Sequence, residues 1–392
     1  MAAARRQVLL ALAGALAAGR VAPGRAQSLR GAGEVQRSEA ARFRVITFAR
    51  GLEHPWGAAF LPDGHLLVTE RPGRMRMVSP TGKVSPPLGG VPAVAASGQG
   101  GLLDVRLAPD FATTRELYFC QSARVSGGTV TRLVRARLPE GGTALDMTQP
   151  VLDATPAQSG DGHYGCRIAF DREGRLHLST GDRQRRPERA QALDDLAGKL
   201  LRLERDGRPA AGNPFLGRAG LRPEIYAYGL RNPQGLAVNP ATGSLWEAEM
   251  GPRGGDEVNL IRPGANLGWP VVGHGTAYSG ATIHAAASHP DMQDPLRFWV
   301  PSISPSGMAF YDGDAFPGWK GSLFLANLSG AGLLRLSVEG DRITGEERLL
   351  WGQFRLRNVV PGPDGLLYLL TDEPRGRILR LEPVAEEQGR PP

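Results

Sequence analysis

One phrase recurs along this chain and limits what it can fold into. A turn of Pro/Asp/Gly type is followed by a short alternating or apolar run. It reads "LPDGHLLVTE" at 61–70, "APDFATTRELYFCQ" at 108–121 and "DREGRLHLSTGD" at 171–182. It returns as "NPATGSLWEAEMG" at 239–251, "YDGDAFPGWKGSLFLANL" at 311–328 and "GPDGLLYLLTDE" at 362–373. Such turns set hairpin geometry, and the run that follows supplies a strand. Several are followed by a second short strand, as in "RPGRMRMVS", "LAGKLLRLERDG", "GAGLLRLSVEG" and "RGRILRLEP". Radial repetition accounts for the pattern: an all-β chain, a six-bladed β-propeller with about four strands per blade and long inter-blade loops. The rival is a β-sandwich or two stacked β-domains, but a sandwich seldom repeats one turn phrase six times.

Within this frame "QRRPERAQALDDLAGKLLRL" (184–203) is the place for one short helix. No linker is rich enough to split the chain, so residues 40–385 read as a single propeller catalytic domain. The end, "EEQGRPP", reads as a loose tail.

Residues 1–26 stand apart. Arg5 and Arg6 precede an apolar run from Val8 to Ala18, and small residues follow at Gly24 and Ala26. That is the layout of an export signal cleaved near Ala26, which points to the periplasm. The run is too short for a permanent membrane span. The paired arginines suit the twin-arginine route, the incomplete flanks the general one. Residues 1–26 hold four arginines and no acid, so without them the formal charge falls from +7 to +3. With no basic run interleaved with aromatics, nucleic acid is excluded as a partner class. Cys120 and Cys166 allow one disulfide in an exported chain, or a buried reduced pair.

The loops carry the chemistry. "GQGGLLDVRLAPDF" holds Gln99 among glycines, and "DGHYGCRIAF" puts His163 at the mouth of a strand. Asp182 ends the next strand, in "STGDR". "YGLRNPQGLAVNP" holds Arg231, Asn232 and Gln234, and "EMGPRGGDEVNLIRPGANLGWP" is rich in oxygen ligands. "FRLRNVVPGPDG" sets Arg355 and Arg357 at alternate positions, on one face of a strand. Singly, each has a bland reading as a turn residue or a solvated face. Jointly they fall at strand ends and inter-blade loops, where a propeller gathers residues about its channel. Converging cations beside a base suit a small anionic ligand next to a proton transfer.

The combination resembles the soluble, periplasmic sugar dehydrogenases that depend on pyrroloquinoline quinone (PQQ), of glucose/sorbosone or aldose sugar type. The resembling segments include "GLEHPWGAAFLPDGHLLVTER", "GQGGLLDVRLAPDF", "HYGCRIAF", "STGDR", "GLRNPQGLA", "EMGPRGGDEVNLI", "NLGWP", "PSISPSGMAFY" and "RLRNVVPGPDGLLYLLTD". They run in family order from about Gly51 to Leu381. The resemblance implies PQQ in a cleft near the axis, with His163 as general base and Asp182 beside it. It implies that Gln99, Arg231 and Asn232 line the quinone and that Arg355 and Arg357 meet its carboxylates and carbonyls. Gly251 and Pro252 match carbonyls that hold an active-site Ca2+, which would polarise the quinone. Glu257 and Leu267 match the holders of a second calcium in the aldose type. Three positions depart from the family pattern. Leu267 stands where Tyr is common, Cys166 replaces a small residue, and Ser329 stands where glucose-oxidising members place a lysine.

The implied reaction oxidises the anomeric C1 of an aldose to a lactone by hydride transfer to PQQ. Arg231 would stabilise the charge that develops, and an external electron acceptor would complete the cycle. Two other classes remain open at this stage. One is a propeller lactonase, a metal hydrolase needing a carboxylate/Asn cluster on the axis. The other is a non-catalytic sugar- or protein-binding propeller.

Overall fold

The computed structural model describes residues 33–385. The export-signal reading of residues 1–26 and most of the C-terminal tail lie outside the described residues. The strands form six antiparallel sheets, the six blades expected from the repeated turn phrase. Each of blades 1 to 5 is a run of four consecutive strands, beginning with its innermost. Those innermost strands are Pro55–Phe60, Leu102–Leu107, Gly165–Phe170, Pro233–Val238 and Pro305–Phe310. Blade 6 has five strands and is built from both ends of the chain. Leu356–Pro361, Leu367–Thr371 and Gly376–Pro383 are completed by Arg42–Leu52 and Val35–Arg37. The antiparallel pairing of Arg42–Leu52 with Gly376–Pro383 shuts the ring, and the innermost strands keep only short edges that face the axis.

Every innermost strand slips register against its neighbour close to its first residues. A bulge of this kind twists the strand and re-aims a side chain. Left-handed backbone sits beside it in three blades: His54 (φ 44°), His163 (φ 45°) and Ser304 (φ 52°). Such angles are uncommon outside glycine and cluster at functional sites. Hydroxyls of the second strands tie this corner down. Thr69 Oγ1 accepts the Gly57 N–H at 2.8 Å, and Ser179 Oγ accepts the Arg167 N–H at 3.0 Å.

The centre of the ring is plugged. Arg167, buried in blade 3, reaches four other blades. Its guanidinium pairs with Asp104 of blade 2 at 3.2 Å and stacks 3.9 Å from the Trp56 ring of blade 1. It also donates to the Gln234 and Arg357 carbonyls, at 2.6 and 3.2 Å. A buried charge with a counter-ion and several acceptors is satisfied, and removing one partner is costly. Between blades the space is filled by apolar clusters, such as Phe43, Phe316, Trp319 and Phe324 between blades 5 and 6.

Cys120 and Cys166 form a disulfide, Cα to Cα 5.7 Å, which joins blade 2 to blade 3 three residues after His163. The helix expected in 184–203 is one 3-10 turn, Pro187–Gln191, and the segment ends in the strand Lys199–Leu203. The buried Lys199 ammonium donates to the Arg189, Ala190 and Ala197 carbonyls, which holds the turn short. Two further short helical pieces are Phe111–Thr114 and Pro317–Trp319.

Candidate functional site

On one face of the ring a cavity of about 440 Å3 opens above the Arg167 plug. Gln99, Asn232, Arg355 and Arg357, all singled out from sequence, line it. So do His54, Trp56, Arg71, Met250 and Asp372, which sequence reasoning missed. Three guanidiniums face a single carboxylate there. Asp372 Oδ2 accepts from Arg355 Nε at 3.1 Å and Arg357 Nη2 at 2.9 Å, which places the two arginines on one face as expected. Burial works against the ionised form of Asp372, but the Arg357 and Arg355 charges outweigh it and hold its carboxyl well below the usual range. The Nε of half-buried Arg357 is itself buried and has no hydrogen-bond partner. A guanidinium with an idle buried donor is a place for an anion.

His163 lies behind this wall, 4% exposed. Gln99 Oε1 accepts its backbone N–H at 2.8 Å, and Asn232 Oδ1 accepts the Gly165 N–H at 3.3 Å. His163 Nδ1 is 2.7 Å from Asp182 Oδ1. Asp182 also accepts from the Gln184 N–H at 2.6 Å and from Trp269 Nε1 at 2.8 Å. A carboxylate serving three donors puts the imidazole proton on Nδ1 and leaves the Nε2 lone pair free. Burial pushes the imidazole down from the ordinary histidine range. The Asp182 bond pulls it up, and the Arg231 charge adds to the downward push. The geometry is that of a neutral base with its tautomer fixed.

Arg231 belongs to a second, much smaller cavity of about 20 Å3 next to the first. Gly251 and Pro252, expected at an active-site calcium, and Glu257 and Leu267, expected at a second one, all line this one cavity together with Glu249. The volume suits one water-sized occupant. Arg231 Nη1 donates to the Met250 and Gly251 carbonyls, both at 2.7 Å. Glu249 Oε2 accepts the Arg231 and Asn232 N–H groups, at 2.5 and 3.2 Å. Behind it, Glu249 pairs with Glu257 and Glu247 with Asn259 across adjacent strands of blade 4. Burial, then repulsion from Glu249, pushes Glu247 and Glu257 well above the carboxylate range, and burial pushes Glu249 up to about 7. Glu247 Oε1 has no partner. Among the described residues no group of three His, Cys, Asp or Glu side chains converges as a metal site. The donor set is instead two carboxylates with backbone carbonyls, ligands that suit calcium rather than a transition metal.

Of the residues missed, Glu247 and Glu249 were visible as an alternating pair in "LWEAEM" opposite "DEVN". His54 stands before its blade's first strand much as His163 does. Asp372, in "LLTDE", follows its strand much as Asp182 does, whereas Trp269 carries no local signal.

Known proteins bear on this arrangement. The family model for glucose/sorbosone dehydrogenase matches residues 52–380. The aldose sugar dehydrogenase YliI of Escherichia coli K12 is 44% identical over 338 residues, 85% of this chain and 91% of its own. The apo-form crystal structure of the soluble aldose sugar dehydrogenase from Escherichia coli superposes with a TM-score of 0.84. It is 42% identical and covers 87% of this chain and 100% of its own. The PQQ-bound aldose sugar dehydrogenase of Streptomyces coelicolor gives a TM-score of 0.73 at 34% identity, covering 88% of this chain and 99% of its own.

Proposed function

The chain belongs to the glucose/sorbosone dehydrogenase family, and from that premise we propose that it oxidises the anomeric C1 of aldose sugars to lactones with PQQ and calcium. The observation that carries the reading is the pairing of two features. One is an arginine-rich cavity with an idle buried donor. The other is a neutral, Asp-held imidazole directly behind its wall.

The residues present fit both groups. A planar tricarboxylate finds Arg71, Arg355 and Arg357 for its charges and Trp56, Met250 and Leu328 for its faces. Calcium finds an acidic, oxygen-lined hole beside Arg231. When bound, PQQ supplies the acceptor for the hydride that leaves C1, and calcium supplies positive charge beside it. His163 Nε2 takes the proton of the anomeric hydroxyl as the C1–H bond breaks. Asp182 keeps Nδ1 protonated and steadies the imidazolium that forms. Arg231 holds a fixed positive charge at the junction of the two cavities. Its Nε and Nη2 form no hydrogen bond with the described residues and remain free for a ligand oxygen. The plug formed by Arg167, Asp104 and Trp56 occupies the axis, where a lactonase needs its carboxylate/Asn cluster.

Export to the periplasm and cleavage near Ala26 belong to the same proposal. Among the described residues no helix is long and apolar enough to cross a membrane. With two cysteines in all, the chain has no Cys-x-x-Cys-His haem attachment, so electrons pass to an external acceptor.

Reconstitution tests the reading. Apo-protein supplied with PQQ and calcium is expected to develop a quinone absorbance that aldoses bleach. A panel of aldoses that all leave the band untouched overturns it. Chelating calcium from the reconstituted protein is expected to abolish turnover and lower Tm, and unchanged turnover after complete removal discards the metal's role.

A further inference from the structure

His54 and Asp372 repeat the construction of His163 and Asp182. Each histidine has left-handed backbone at the entry to an innermost strand. Each aspartate stands just after the second strand of a blade, and in each pair Nδ1 meets Oδ1. The first pair spans the ring closure, His54 in blade 1 and Asp372 in blade 6, at 3.1 Å.

The protein surroundings settle which atoms are free. Asp372 Oδ2 is taken by Arg355 and Arg357, and Oδ1 by His54. A carboxylate used wholly as an acceptor makes His54 Nδ1 a donor, which leaves Nε2. Nε2 forms no hydrogen bond with the described residues, and the His54 side chain, 22% exposed, is part of the cavity wall. The backbone is pinned, with N–H to the Glu373 carbonyl at 2.9 Å and carbonyl from the Arg71 N–H at 3.1 Å. The charged groups around it are accounted for. Glu53 and Glu70 are paired with Arg74 and Arg76, and Glu373 with Arg377. That leaves Arg71, Arg355 and Arg357 against Asp372, two positive charges in excess. A protonated His54 makes the excess three, equal to the charge of a tricarboxylate.

We propose that His54 is a further binding residue of this cavity, which takes one carboxylate of the ligand on Nε2 in its imidazolium form. The proposal rests on the reading of the cavity as a PQQ site. It makes cofactor affinity depend on pH in a way that the arginines cannot, because guanidinium stays charged throughout.

The test is PQQ binding to apo-protein at saturating calcium, followed by tryptophan fluorescence from pH 5.5 to 8.5, in wild type, His54→Gln and His54→Lys. Wild type is expected to bind about tenfold more tightly at the acid end, the worth of one charge-assisted hydrogen bond at a partly exposed site. His54→Gln is expected to lose that gain and its slope, matching wild type at pH 8.5. His54→Lys, charged across the range, is expected to bind tightly and without slope. A His54→Gln protein that keeps the wild-type slope overturns the role of His54 alone. A wild type that binds no PQQ at any pH overturns the cavity reading, and this proposal with it. A thermal melt of each variant separates misfolding from lost affinity, and the Lys variant still decides the question if the Gln variant melts early.

Discussion

Three of the histidine–aspartate pairs among the described residues share one chemical formula and differ in setting. His163–Asp182 and His177–Asp171 bracket the same strand, Leu176–Thr180, at its two ends. His54–Asp372 bridges the ring closure. At His163 the aspartate is crowded with donors, Arg231 lies close, and the backbone N–H is held by Gln99 of the cavity wall. At His177 the ring is as buried, but the contact to Asp171 is 3.3 Å through Nε2, and Nδ1 is sealed in without a partner. At His54 the aspartate is shared with two arginines and the ring reaches the cavity itself. A His–Asp pair therefore does not by itself make a base. What decides is where the second nitrogen emerges and what charge surrounds it.

The sharpest way to break this comparison is His163→Gln. Turnover is expected to fall by roughly 10²–10⁴, the usual worth of a general base, with PQQ affinity nearly unchanged. Full turnover at saturating PQQ would sink the assignment. Asp182→Asn comes next. Its amide can present a donor to Nδ1 and favour the wrong tautomer, so steady-state assays are expected to show a kcat loss of up to about 10⁴.

The pH profile gives a subtler reading. Burial lowers His163, so the base form persists below about pH 6.5, and kcat/KM is expected to fall only on the acid side of that value. The Asp182 bond raises this pKa, so in Asp182→Asn the acid limb of any residual activity is expected to move lower still.

His177→Gln is expected to do least to catalysis. Turnover should stay within about twofold, because nothing places this ring near the cavity, and surviving effects should be on stability, about 1–3 kcal/mol. Burial lowers the folded-state pKa of His177. The unfolded chain therefore takes up that proton first, and stability declines as pH drops below about 6.5 towards the folded value. Denaturant titrations at pH 5 and 7 check the sign: the variant should lose less stability on acidification than wild type.

Much of the architecture was legible because its signals are local. Asp-Gly turns and period-two runs act over ten residues or so, and their sixfold recurrence leaves few closed shapes. Arg355 and Arg357 were placed on one face by the same period. Gly251, Pro252, Glu257 and Leu267, expected at two separate calcium ions, line one hole because three of them belong to one hairpin region and Leu267 follows in the next turn. The single helix was the weak point. Pro187 could start a helix, but the chain turned extended at Ala192 and Lys199 entered a strand. The disulfide was one of two open readings, because which cysteines meet depends on how blades 2 and 3 pack.

Sequence alone determined the hairpin repeat, the blade number, and the kinds of side chain at the strand ends, since each follows from residues close together in the chain. Only the closed ring decided who those side chains meet. Asp372 reaches His54 across a separation of 318 residues, and Arg167 ties together strands from five blades. No local pattern encodes such meetings. They arise when six sheets, each with two apolar faces to bury, pack around one axis and bring the entries of their inner strands to a common rim.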